Sequence, residues 1–108
     1  MGVTSVEVSG KEVAADPSFA VEVLDESVTV LAANAFRRAA TIINWTDKFV
    51  WLALGDTAVV GEGIPLAART DATHPGGSYT IGADNLYLGI ITAIGEAGAV
   101  GNVVGAEL

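Results

Sequence analysis

The chain has no cysteine, a single histidine (His74) and two lysines (Lys11 and Lys48), and each shortage removes a class of chemistry. Without thiols there is neither a disulfide framework nor a thiolate metal site, and the redox compartment is left open. No run approaches the ~18 consecutive apolar residues that a membrane helix needs. The start, Met1-Gly2-Val3-Thr4-Ser5-Val6-Glu7, lacks the basic region of a secretion signal. The sequence therefore predicts a soluble protein with no membrane partner.

What is present favours strands. At 108 residues the chain is long enough for one domain, and a domain of this size buries roughly two-thirds of its unfolded surface. Apolar residues make up 51%, with only three Phe, two Trp and two Tyr, so the core must be built largely from small and β-branched side chains.

Thirteen acidic against five basic residues give a net charge of -8, which repels nucleic acid and argues against DNA as a partner. The charge is uneven, with sums of -5 over residues 1–26, +2 over 27–55 and -5 over 56–108. Arg37, Arg38 and Lys48 make the one positive region, a candidate interface for an acidic segment of a neighbouring subunit. Solvated strand ends are the simpler reading of the same three residues. An acidic excess with few lysines also fits a protein from a high-salt environment, as well as an ordinary acidic surface.

Along the chain, residues 1–18 alternate weakly and end near Asp16-Pro17, which reads as an extended arm or edge strand preceding a domain over 19–108. Alternation then sharpens at Phe19, Val21 and Val23 and again at Val28, Val30 and Ala32. Residues 39–45 and 49–54 read as a hairpin, the second strand apolar on both faces and hence central or covered. Ala58-Val59-Val60 reads as a short strand or bulge. Pro65 places Ile64-Pro65-Leu66 at a sheet edge. Residues 67–77 are irregular, Tyr79 and Ile81 open another strand, and 86–94 reads as the strongest one, joined by a Gly95–Gly98 hairpin to Val100, Val103 and Val104. About seven to nine short strands predict an all-β fold, an antiparallel β-sandwich of jelly-roll type.

A search for chemistry finds little. Asp71 and His74 form an imaginable metal pair, but zinc needs further ligands, and a solvated loop histidine is the favoured reading. The acids fall in turns, where they cap backbone. Gly61-Glu62-Gly63 precedes a proline edge instead of a helix, so it is no phosphate cradle. Trp45, Trp51 and Tyr87 are candidates for an aromatic, sugar-binding surface, with core packing as the favoured alternative. No catalytic residue, cofactor or metal ligand emerges.

The order Arg38, residues 40–45, residues 49–54, Gly63-Ile64-Pro65-Leu66, Pro75-Gly76-Gly77-Ser78-Tyr79, Asn85-Leu86-Tyr87, Gly89, Thr92-Ala93-Ile94 and Glu107 resembles that of small β-sandwich virion proteins of tailed viruses. These serve as head decoration proteins, head fibre bases or tail accessory proteins, and the resemblance covers about residues 34–107. It implies a non-enzymatic structural protein, expected as a homotrimer on the capsid surface with the major capsid protein or other virion proteins as partners, and presenting loops outward. A tail or baseplate component is the alternative within the class, and a carbohydrate-binding adhesion module the alternative outside it. The chain departs from the family by an insertion over residues 67–74, read as a contact loop whose Asp71 and His74 join Arg37, Arg38 and Lys48 as candidate interface residues, and by residues 1–33, which fall outside the match and read either as a lattice-binding segment or as two further strands of the sandwich.

Overall fold

The computed structural model describes residues 17–108; the expected arm lies outside the described residues up to residue 16. Eight strands follow in order: β1 (Ser18–Glu22), β2 (Val28–Leu31), β3 (Ala40–Asn44), β4 (Val50–Ala53), β5 (Ile64–Leu66), β6 (Ser78–Ile81), β7 (Ile91–Gly95) and β8 (Asn102–Glu107). They form two four-stranded sheets, ordered β1-β8-β3-β6 and β2-β7-β4-β5. The antiparallel pairs β1–β8, β2–β7, β3–β6 and β4–β5 are those of one long hairpin. Rolling that hairpin up brings β8 beside β3 and β7 beside β4. This is the jelly-roll sandwich, with every pair antiparallel.

The sheets close on small and branched side chains. Inward residues of β3 and β8 (Ile42, Val103) meet those of β4, β5 and β7 (Val50, Leu52, Leu66, Ile91, Ala93) in one buried cluster. Strand β3 alternates strictly, with Ala40, Ile42 and Asn44 buried and Thr41 and Ile43 half-buried on the outer face. At β8 the inward position opposite Phe19 is Gly105, and a Cβ there would strike the Thr41 carbonyl and the Phe19 ring. The glycine is needed for close approach, and the aromatic ring covers the gap it leaves.

Four local expectations are corrected. Residues 39–54 do not form a hairpin, nor do 91–107, because β3 and β4, and likewise β7 and β8, belong to different sheets. Only β4 and β5 are consecutive neighbours within one sheet. The strand expected over 86–94 begins at Ile91, since the Tyr87, Leu88 and Gly89 carbonyls are engaged by residues of the β2–β3 connection. Residues 58–60 form no strand; Val59 accepts from the Glu62 amide in a turn. The proline-bearing β5 is an edge, and β4 is central in its sheet.

Candidate functional site

The jelly roll gathers its connections at two ends. At one, the 32–39 connection is built around Asn34, whose amide donates to the Leu88 carbonyl (2.8 Å) and whose Oδ1 accepts from the Phe36 amide (2.9 Å). Arg37 then turns inward and is 2% exposed. Its Nε donates to Glu107 Oε2 (2.7 Å), and its terminal nitrogens donate to the carbonyls of Ala32 (2.7 Å), Tyr87 (2.7 Å) and Gly89 (3.1 Å). One guanidinium thereby ties the ends of β2 and β8 to the start of β7.

This corrects the sequence reading of Arg37 as an interface residue, because its charge is enclosed and its donors engaged. Nor do Arg37, Arg38 and Lys48 form one positive spot. Arg38 is exposed just before β3, whereas Lys48 lies half-buried beyond the other end of that strand. Five strand residues at about 3.3 Å each hold the two regions apart.

The opposite end is organised by residues that sequence reasoning missed. Asn44, fully buried, donates through Nδ2 to the carbonyls of Lys48 (2.9 Å), Leu66 (3.0 Å) and Ala67 (3.0 Å), and its Oδ1 accepts from the Thr46 amide (2.8 Å). Arg69 donates to the Trp45 and Val100 carbonyls, and its amide donates to the Thr46 carbonyl. Asp47 accepts from the Val100 amide at 2.8 Å. The β3–β4, β5–β6 and β7–β8 connections are thus cross-tied. Asn44 had a usable signal, a polar residue at an inward position of an alternating strand; Arg69 had none.

Asp71 and His74 do meet. They form an isolated antiparallel bridge, with His74 Nδ1 at 2.9 Å from Asp71 Oδ1, and Thr73 contributes its amide (2.7 Å) and hydroxyl (2.8 Å) to the same carboxylate oxygen. His74 is therefore exposed but not free. These contacts, the His74 one foremost and then the Thr73 amide, hold the Asp71 carboxyl at about 2, below its ordinary 3.8. Among the described residues no three His, Cys, Asp or Glu side chains converge as metal ligands would.

The three candidate aromatics do not share a surface. Trp45 and Trp51 occupy outward positions on opposite sheets, and Tyr87 lies in the 82–90 connection, packed against the core. Trp51 instead stacks with Phe49, their ring centroids 5.8 Å apart. That pair follows from alternation across β4, where Val50 and Leu52 point inward.

The 54–63 connection folds back over its sheet. Thr92 Oγ1 on β7 donates to the Gly55 carbonyl (2.9 Å), and the Ala58 amide donates to Ser27 Oγ beside β2 (2.9 Å). Between this connection and the β4–β5 hairpin lies an open groove of about 320 Å³, lined by Leu52, Leu54, Val59, Ile64, Gly63 and Glu62 among others. Gly63 is required there: its φ is +91°, and a Cβ would collide with the Leu52 carbonyl oxygen.

Set beside protein-family models, curated proteins and solved structures, the chain matches none of them. What fold and geometry define is the class: an eight-stranded jelly-roll sandwich with tied loop ends.

Proposed function

We propose that the protein is a non-enzymatic structural subunit of a virion, a capsid decoration protein that binds the shell lattice as a homotrimer and presents its loops outward. The observation that carries this reading is the jelly-roll connectivity, β1-β8-β3-β6 over β2-β7-β4-β5, an architecture recurrent in viral capsid and lectin domains. Fold alone does not assign function, so the disposition of the polar side chains matters. Arg37, Asn44 and Arg69 direct their donors largely to loop carbonyls, which fixes both ends of the sandwich as a rigid building unit. The motif positions of the resemblance fall at such joints: Gly63 beneath the Leu52 carbonyl, Gly76 and Gly77 bonded to Asn44, and Glu107 on Arg37. Mass spectrometry of gradient-purified particles from an infected culture tests the reading. The chain should be present in amounts comparable to the shell protein, and its absence from clean particles would reject it.

Within this reading the acidic surface suits a high-salt host, in which case stability rises with salt; a flat or falling dependence removes that part. A tail or baseplate position is the variant reading, separated by immunogold labelling. The half-exposed Phe49–Trp51 stack favours one reading from another class, a carbohydrate-binding module. Glycan-array binding lost in a folded Trp51→Ala variant would support that instead.

A further inference from the structure

Phe36 is the most exposed large apolar residue of the described chain, at 89%. It is nevertheless held firmly, between the Asn34 turn that fixes its amide and the enclosed guanidinium of Arg37 that follows it. A loop held this way meets a partner with little further loss of conformational entropy. Beside it stands Arg38, exposed and without a side-chain partner among the described residues. The chain carries the complement of this knob. The groove over β4 and β5 has an apolar lining of Leu54, Val59 and Ile64, with Glu62 at its side. Its volume, about 320 Å³, is within the range that accepts compact organic groups, about 300–1,000 Å³.

Both features lie at one end of the sandwich, where β2 and β4 end and β5 begins. Arg37 anchors the knob to the ends of β2 and β8, whereas the groove borders the start of β5, the opposite edge strand of that sheet from β2. We propose that copies of this chain join through these two unlike patches, with Phe36 of one copy seated in the β4–β5 groove of the next and Arg38 facing Glu62 there. The fit is one of apolar shape and opposite charge, in a molecule whose net charge of -8 otherwise opposes self-contact. A contact between two different patches is heterologous, so repetition about a rotation axis closes a ring, and three copies give the trimer of the functional reading on which this contact rests.

Sedimentation equilibrium of the full chain and its variants tests the contact. Wild type should form a closed oligomer. Phe36→Ser, at an exposed tip, should remain folded and weaken association about tenfold or more. Arg38→Glu and Glu62→Arg should each weaken it, while the double variant regains most of the loss. Mixing Phe36→Ser with the groove-blocked Val59→Arg should give heterodimers from two association-defective proteins, since one keeps a groove and the other a knob. Assembly indifferent to Phe36→Ser, or a mixture that stays monomeric, overturns this contact and leaves a trimer by another face. A wild-type chain that is monomeric at every concentration overturns the contact and the trimer together, but not incorporation into particles, which mass spectrometry reads separately.

Discussion

Arg37 Nε and Glu107 Oε2 lie 2.7 Å apart and join the 32–39 connection to the last strand, seventy positions away along the chain. Because the guanidinium is enclosed, the pair cannot be weighed as a surface ion pair. Its loss would leave a carboxylate and three loop carbonyls without their donor.

Arg37→Ala should therefore destabilise the fold by about 3–5 kcal/mol, as breaking an enclosed ion pair does. Glu107→Gln, which keeps an acceptor at a partly exposed position, should cost about 1 kcal/mol. Urea denaturation of both variants checks the order, and equal effects would contradict it. Arg37→Lys should not rescue, since a single ammonium cannot reproduce a planar fork directed at four acceptors.

At the opposite end, Asn44→Ala should cost about 1–3 kcal/mol by leaving carbonyls of Lys48, Leu66 and Ala67 and the Thr46 amide without this partner. Asn44→Asp should cost more at neutral pH, because a carboxylate would face those same carbonyls. Raising the stability of Asn44→Asp by lowering pH, relative to wild type, is the distinguishing result.

How much of this was legible follows from what each feature depends on. Strand positions at β2, β3 and β4 could be read to within a few residues, because alternation and flanking turns are local signals. The edge at β5 followed from Pro65. Pairing was not local: a jelly roll sends six of its seven connections between sheets, so neighbouring strands that looked like hairpins are arches. The late start of the strand within the 86–94 pattern was hidden for a related reason, since Arg37 takes carbonyls that periodicity assigned to a ladder. Arg37 itself looked like surface charge, because nothing in its neighbours announces four distant acceptors. For Asp71 and His74, three residues apart, the favoured reading was a histidine free in solvent, and the hydrogen-bonded pair closed by Thr73 was missed because nothing in the spacing alone announces it.

That pair gives a pH prediction. The Asp71 carboxyl has a folded value of about 2 against an ordinary 3.8. Its contribution is thus fully present above pH 3.8 and is lost as pH falls toward 2. Carbon-detected NMR titration should find the low value in wild type, and His74→Ala should move it upward while the Thr73 amide keeps it below 3.8. An unshifted value in wild type would show that the loop is not closed in solution.

Two glycines of one turn should behave differently. Gly61 has φ +84° and open space around it, so Gly61→Ala should cost only the left-handed strain of about 1–2 kcal/mol. Gly63→Ala adds a collision with the Leu52 carbonyl and should cost clearly more. Thermal unfolding of the two variants tests this, and equal melting temperatures would place the 54–63 connection differently.

The central claim, that this sandwich is a structural part of a virion, is tested most directly by cross-linking mass spectrometry on intact purified particles. The proposal expects abundant cross-links from Lys48 to the principal shell protein or to neighbouring copies of this chain. Particles that are complete and infectious yet contain no copy of the chain would contradict it.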